Sequence, residues 1–540
     1  MSTLNLKNLK NKNIHIVGIG GAEGSAIAEF LVANNISSIT GHDFSLRKDF
    51  KRAFYNTHLS LKLDEREKAL NHLLSLPIKI NFKDHYLEGI ESADIVFVSQ
   101  VWFKYPQNMP VLQDLKNSGV LFKTITNLYF ELAPCKIISV TGTNGKTTTA
   151  RLINSIFENW IGGDAPHPNL FPRGEGANSP FQKGGRGDFV TIIINKMSPK
   201  KKPKIYFAGN DRQNVQVLDK LNKMTKNDVL ILETSSTQLL LNSGISPHIG
   251  IITNITPNHL DDHGSFGNYV EAKKNLIRHQ SENDFAVLNY DNEVVRKIAE
   301  EHNKSKVFLF SEETTQKGSA VLRELWSQHD RCFIKNKEII IKFNKKELIV
   351  CSIDDIKIPG KHNLENVLAA VSAAYLYGVG LESIKRGVSE YTGIKHRLKL
   401  LYNINGVKYY DDTQATTPEA TIAGIESFDN DIILLAGGDD KGMNYENLAG
   451  KINREVRLLI LFPGSASDKI EKLIDESRID FIKVKNFSEA INVLENYYKK
   501  AAILKDTAVL ISPAAAHFYS RFVESSGKDL REWIRLVAKD

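Results

Sequence analysis

The stretch "KIISVTGTNGKTTTARL", residues 136–152, decides how the chain is read. It opens on a short apolar run rich in β-branched residues, turns sharply at Gly142 and Gly145, and continues with helix-forming spacing. A strand, a glycine-kinked turn and a helix in that order aim backbone N–H groups and a helix N-terminus at one anion. Lys146 can then reach terminal phosphates, and the Thr147 hydroxyl can ligate Mg²⁺. Gly142, Thr143, Asn144, Gly145, Lys146, Thr147 and Thr148 are therefore candidate phosphate-binding residues. The loop departs from G-x-x-x-x-G-K-[ST] in one place, because Val140 stands at the first glycine position.

Working outward, "DVLILETSSTQ" (228–238) ends an apolar strand on Glu233, where a carboxylate would emerge at the carboxyl edge of the same sheet. Mg²⁺ favours carboxylate and phosphate oxygens, so Glu233 and Thr147 are candidate ligands. "NITPNHLDDHGSFGNYVEAKKNLI" (254–277) gathers His259, Asp261, Asp262 and His263 after another strand, either as a polar turn or as a second metal or substrate position. In "IPGKHNLENVLAAVSAA" (358–374), Asn363 and Asn366 share a helix face at i and i+3. Asn363 either caps that helix or, like Asn366, offers a nucleobase both a donor and an acceptor.

Near the amino end, "GIGGAEGS" (18–25) has Glu23 where G-x-G-x-x-G needs its last glycine. That disfavours a nicotinamide dinucleotide and leaves open a turn for another diphosphate, formed by Gly20 and Gly21. Asp43, closing the next strand, would bond a ribose or uracil group.

Strand and helix patterns alternate along the whole chain, first in "NIHIVGIG", "SAIAEFLVANN" and "ISSITGHD". A second set runs from "KIISV" to "NLENVLAAVSAAYLY", and a third contains "GVKYYDD", "DIILLAGG", "VRLLILFPG" and "AVLISPAAA". Unbroken apolar strands in this alternation predict an α/β fold with mostly parallel, doubly wound sheets. Boundaries near "ELAPC" and "TGIKHR" predict three domains, 1–133, 134–395 and 396–540. Residues 161–187 hold 7 Gly and 4 Pro and few aliphatics, which reads as a surface insertion.

Apolar residues at 42% and charged residues at 25% exclude disordered and fibrous classes. The net charge of +7 is spread widely and lacks an aromatic-interleaved basic stripe, so nucleic acid is not an expected partner. Cys135, Cys332 and Cys351 lack C-x-x-C spacing, which argues against a disulfide framework or zinc knuckle. No segment is apolar for long enough to span a bilayer, and the opening has no uninterrupted apolar run, so a cytoplasmic location is expected.

Taken in order, "TGTNGKTT", "ETSSTQ", "NITPNHLDDH", "EAKKNL", "GKHNLEN", "KHR", "DDTQATTPEAT", "GGDDKG" and "SPAAA" resemble the Mur ligase family over nearly the whole chain. The resemblance implies an N-terminal Rossmann-like domain holding a UDP-sugar, a central ATPase and a C-terminal Rossmann-like domain admitting an amino acid. It also implies ATP-dependent ligation in peptidoglycan precursor synthesis, through an acyl phosphate. "SSTQL", D-T-x-A-T and "SPAAA" most resemble the branch joining D-glutamate to UDP-N-acetylmuramoyl-L-alanine. A related ligase for L-glutamate or another amino acid is the alternative, and a monomer is compatible with either.

Site roles follow from the same resemblance. Lys146, His259 and Lys273 would be catalytic; Thr147 and Glu233 would bind one Mg²⁺ and His259 a second, with Lys273 carbamylated to a metal ligand. Asn363 and Asn366 would meet the adenine of ATP, Arg397 its phosphates and Asp412 its ribose. Asn210 would lie near the UDP-sugar, and Thr416, Lys441, Ser512 and His517 around the amino acid. This chain departs from the family pattern at Gln414, where many members have lysine, at His517, where a serine is usual, and in "FVESSGKDL", shorter by one residue.

Overall fold

Apolar runs bounded by glycines and polar turns become strands, and the order in which they pair decides where ligands can bind. The structure, a computed structural model, describes residues 6–58, 60–99, 108–160, 203–209, 216–241, 244–257, 260–312, 320–428, 430–440, 442–500 and 507–537. Among the described residues, twenty strands form three sheets. The first contains β1 (Ile14–Val17), β2 (Ile39–His42), β3 (Lys79–Asn81), β4 (Ile95–Val98) and β5 (Leu121–Lys123), in the order β3-β2-β1-β4-β5. All its pairings are parallel.

The second sheet runs from β6 (Lys136–Thr141), β7 (Ile205–Gly209), β8 (Val229–Glu233), β9 (Ile249–Ile252) and β10 (Phe285–Asn289) to β11 (Lys306–Ser311), β12 (Asp330–Lys335), β13 (Glu338–Phe343) and β14 (Lys346–Ser352). Its order is β14-β13-β12-β11-β10-β9-β6-β8-β7. The third sheet comprises β15 (Lys399–Ile404), β16 (Val407–Asp411), β17 (Ile432–Gly437), β18 (Val456–Phe462), β19 (Asp480–Lys483) and β20 (Ala508–Ile511), ordered β15-β16-β20-β17-β18-β19. An open α/β sheet binds ligands outside the carboxyl ends of its strands, where the strand order reverses. β1 lies between β2 and β4, and β6 between β9 and β8, so both glycine turns follow strands at such points.

The chain divides into two compact units, Met1–Ser352 with Glu365–Val388, and Ile353–Leu364 with Ser389–Asp540. Within the first, one apolar cluster joins the helix Ala22–Ala33 through Phe30 and Leu31 to Tyr129, Val217, Leu218 and Leu221, so the first two sheets share a core. The second unit packs its sheet between two clusters, one around Phe462, Phe487 and Trp533 and the other around Leu434, Leu459 and Leu510. The three cysteines are buried and none is in a disulfide. No helix among the described residues is long and apolar enough to cross a membrane.

The parallel expectation needs one refinement. β12/β13, β13/β14 and β15/β16 are antiparallel hairpins at sheet edges. A type I′ two-residue hairpin turn needs two successive residues at positive φ. Asn336–Lys337, Asn344–Lys345 and Asn405–Gly406 adopt that geometry, with φ between 50° and 91°.

A buried histidine pair joins β1 to β2. His15 and His42 stack at 5.1 Å between ring centroids, with His15 Nδ1 2.8 Å from His42 Nε2. Burial, then the neighbouring His15 and Lys79, pushes His42 down to about 3. An unfolded histidine titrates near ~6.5, so below that pH the unfolded chain gains a proton that folded His42 refuses. Stability is therefore expected to fall as pH drops from 6.5 towards 3, and His42→Leu to flatten that acid limb in urea midpoints measured against pH.

Candidate functional site

β6 is buried along Ile137–Thr141 and delivers its carboxyl end to the loop at Gly142. Gly145, at φ 83°, is the left-handed N-cap of the helix Lys146–Glu158. A side chain there would be strained, and its Cβ would sit 2.1 Å from Asn366 Oδ1. The adjoining strand end pins the rest of the loop. Asn144 N donates to Asn254 Oδ1 at 2.9 Å, Thr253 Oγ1 donates to Asn144 O at 2.6 Å, and Thr143 N donates to Asn254 O at 2.8 Å. Sequence spacing does not single out Thr253 and Asn254; their signal is their place directly after the apolar strand "IGII".

Two lysines converge on one carbonyl. Lys146 Nζ donates to Gly142 O at 3.0 Å and Thr143 O at 2.9 Å, while Lys273 Nζ donates to Gly142 O at 2.7 Å. Lys273 is 1% exposed on the helix Phe266–Lys274, with its amine 4.7 Å from the centroid of the Tyr269 ring. Burial, reinforced by the Lys146 charge, holds the Lys273 amine well below the usual lysine range. Tyr269 is fixed in turn by Thr143, whose hydroxyl lies 3.1 Å from its phenol oxygen, and by the edge of His263. His263 is buried, with Nε2 3.0 Å from Ser236 Oγ, which makes it part of the packing behind Tyr269.

Glu233 ends β8 beside β6, in register with Val140, and its side chain is buried. Thr147 and Thr148, half-buried, open the helix that follows Gly145. Thr234 locks the two strand ends together: its N donates to Val140 O at 2.9 Å, and its carbonyl accepts from Thr141 Oγ1 at 2.8 Å. Asn366 accepts from Thr149 Oγ1 at 3.2 Å, so its amide sits where the Gly142–Gly145 loop becomes helix. His259 and Asn210 lie outside the described residues, as do 161–187 and Lys441. Among the described residues, no three His, Cys, Asp or Glu side chains group as a metal site.

At the amino-terminal turn, Gly20 N donates to Asp43 Oδ2 at 3.0 Å, and Ser45 donates to Asp43 Oδ1 through N (2.9 Å) and Oγ (2.6 Å). Asp43 thus shapes the turn holding Gly20 and Gly21, and Thr57 Oγ1 closes it with a 3.0 Å bond to Gly20 O.

In the second unit, Asn363 is the third residue of the helix Lys361–Tyr377, so it does not cap it; its amide donates back to Pro359 O. Arg397 is exposed and donates from Nε to Gln414 Oε1 at 2.9 Å, so the residue replacing the family's lysine is an acceptor for that arginine. Asp412 and Ser512 follow the adjacent strands β16 and β20, and Ser512 Oγ donates to Asp412 Oδ2 at 2.7 Å. Burial pushes Asp412 up to about 7, against the Ser512 bond that favours its charged form. Thr416 lies in the turn after β16, its N donating to Gln414 O. His517 Nδ1 is 3.1 Å from Asp439 Oδ2, and Arg521 Nη1 is 3.2 Å from Asp439 Oδ1, at the same edge.

Gly145→Ala follows directly as a test of the loop. Positive φ and the contact with Asn366 should lower stability by about 1–3 kcal/mol and weaken nucleoside triphosphate binding, both readable by calorimetry.

Comparison with known proteins supplies the family. Residues 189–374 match the model of the Mur ligase middle domain. A UDP-N-acetylmuramoylalanine–D-glutamate ligase of Acetivibrio thermocellus is 31% identical over 543 residues, covering 98% of each chain. That of Clostridioides difficile is 32% identical, covering 83% of this chain and 85% of its own. A solved structure, the UDP-N-acetylmuramate-alanine ligase MurC of Thermotoga maritima, aligns at 18% identity and TM-score 0.48, covering 96% of this chain and 99% of that one. Identity of this level sustained from end to end means that the chain belongs to the Mur ligase family.

Proposed function

We propose that this ATP-dependent ligase joins D-glutamate to UDP-N-acetylmuramoyl-L-alanine in cytoplasmic peptidoglycan precursor synthesis. The observation that carries the reading is the end-to-end match to relatives named for that reaction. Stretches 1–133, 134–395 and 396–540 would serve the UDP-sugar, ATP and the amino acid respectively.

A carboxylate is a poor electrophile at neutral pH, so it needs a leaving group. The substrate carboxylate oxygen attacks the γ-phosphorus of ATP, releasing ADP and leaving an acyl phosphate. The uncharged amine of D-glutamate attacks the acyl carbon, loses a proton, and the tetrahedral intermediate expels inorganic phosphate. Phosphoryl transfer between anions calls chiefly for positioning and charge neutralisation. Lys146 supports this reading, because its ammonium already lies on the loop carbonyls and needs only to turn towards a phosphate.

The donor set suits Mg²⁺: a buried carboxylate, Glu233, at the end of the strand paired with β6, and the hydroxyl of Thr147 in the first turn of the helix that follows the loop. Two ions, held by Thr147, Glu233, His259 and Lys273, would supply charge neutralisation at the phosphates. Lys273 fits its part, since the free amine that burial favours is the form that adds CO₂ to give a carbamate. In this reading Asn363, Asn366, Arg397 and Asp412 serve ATP. Gly20, Gly21, Asp43 and Asn210 serve the UDP-sugar, while Thr416, Lys441, Ser512 and His517 serve the amino acid.

His517, where a serine usually meets the glutamate side chain, and Gln414, where many members have a lysine, favour a second reading, ligation of L-glutamate or another amino acid. An amino-acid panel with UDP-N-acetylmuramoyl-L-alanine, read by ADP formation and product mass, decides. D-glutamate alone should give full turnover; preference for another amine would overturn the assignment.

A further inference from the structure

Glu23 stands where a dinucleotide fingerprint has its last glycine, and nothing described so far uses it. The close helix-to-turn approach that such a glycine permits is made one residue later. A Cβ on Gly24 would lie 2.2 Å from Gly18 O. Glu23 belongs to the first turn of the helix Ala22–Ala33, is 9% exposed, and accepts at Oε1 from Gln238 Nε2.

Gln238 is itself 3% exposed, and its amide orientation is determined by its neighbours. Gln238 Oε1 accepts from Ser235 N at 2.9 Å while Gln238 N donates to Ser235 Oγ at 3.2 Å, so Nε2 is the end left for Glu23. Ser235 follows Thr234, which is bonded to Val140 and Thr141 on the strand entering the phosphate loop. The segment around Gln238 is tied back twice more, by Thr124 Oγ1 to Gln238 O at 3.2 Å and by Asn127 Nδ2 to Leu241 O at 3.0 Å. A continuous run of bonds therefore leads from the Gly18–Gly21 turn through Glu23, Gln238, Ser235 and Thr234 to β6.

We infer that the Glu23–Gln238 bond is a positioning contact that couples the two glycine turns: a nucleotide diphosphate-sugar at the first raises the affinity of the second for a nucleoside triphosphate. A buried charge-assisted bond is short and directional, so it passes on a shift of the helix N-terminus rather than absorbing it. By linkage the triphosphate must tighten the sugar nucleotide by the same factor. The inference rests on the reading of the amino-terminal turn as the sugar-nucleotide site.

The test is calorimetric titration of the full chain with AMP-PNP and Mg²⁺, with and without saturating UDP-N-acetylmuramoyl-L-alanine. Wild type should bind the triphosphate analogue at least about fivefold more tightly with the sugar nucleotide present. Glu23→Ala, which deletes the acceptor, and Gln238→Glu, which sets two carboxylates face to face, should each reduce that factor below about twofold. The double variant E23Q/Q238E restores a Gln–Glu bond with donor and acceptor exchanged, and should recover the coupling. Affinities for each ligand alone should stay within about twofold of wild type throughout, whereas a merely structural contact would weaken both together with the melting temperature. Coupling that survives in Glu23→Ala, that is absent from wild type, or that fails to return in the double variant would overturn the proposal. If wild type binds the triphosphate analogue but not the sugar nucleotide, the reading of the turn itself fails, and the inference with it.

Discussion

Lys146→Ala is expected to lower ADP release at saturating substrates by about 1000-fold or more, because the proposed role of Lys146 is to supply the cation at the transferring phosphoryl group. The fold should survive. Lys146 is half-buried at the start of a helix and bonds two loop carbonyls, of which Gly142 O keeps Lys273 as a donor. Losing such bonds costs about 1–2 kcal/mol, too little to unfold the chain. Circular dichroism and melting measured beside turnover separate the outcomes: a folded, inactive variant agrees with the assignment, and a folded, fully active one removes Lys146 from the chemistry.

Lys273→Met carries the second large effect, and its sign on stability is the informative part. Methionine replaces the buried amine with an apolar chain of similar length, and an amine driven from its charged state by burial contributes little to stability. The melting temperature should therefore hold or rise while turnover falls by about 100-fold or more. Labelled bicarbonate should give a carbamate carbon resonance in wild type that is missing from Lys273→Met. Wild-type turnover in the variant would show that the buried amine serves packing alone.

Much of the site was legible because its chemistry needs residues in short local patterns. Gly142 and Gly145 announce the strand-turn-helix, and Glu233 announces a carboxylate at the neighbouring strand end; both lie where the strand order of the second sheet reverses. Long-range partners were not legible in that way. Nothing in local spacing shows that Asn254 would hold Asn144, that Asn366 would meet the loop–helix junction, or that Ser512 would bond Asp412 across a strand pairing formed one hundred residues apart.

Glu23 illustrates a different obstacle. Read against the fingerprint it is a defect, and only the packing of Gly24 against Gly18 reveals that the required glycine is displaced by one position. The edge hairpins divide similarly. Asn405–Gly406 is a strong hairpin signal on composition alone, whereas Asn336–Lys337 and Asn344–Lys345 ask a lysine to adopt positive φ, a conformation its sequence does not advertise.

The central claim is that the loop after β6 holds ATP so that its terminal phosphoryl group passes to a carboxylate before the amide forms. UDP-N-acetylmuramoyl-L-alanine labelled with ¹⁸O in its carboxylate tests it most directly, with the released inorganic phosphate analysed by mass after full turnover with D-glutamate. The account predicts one labelled oxygen in each phosphate, carried there by the acyl phosphate; phosphate released without label would contradict it.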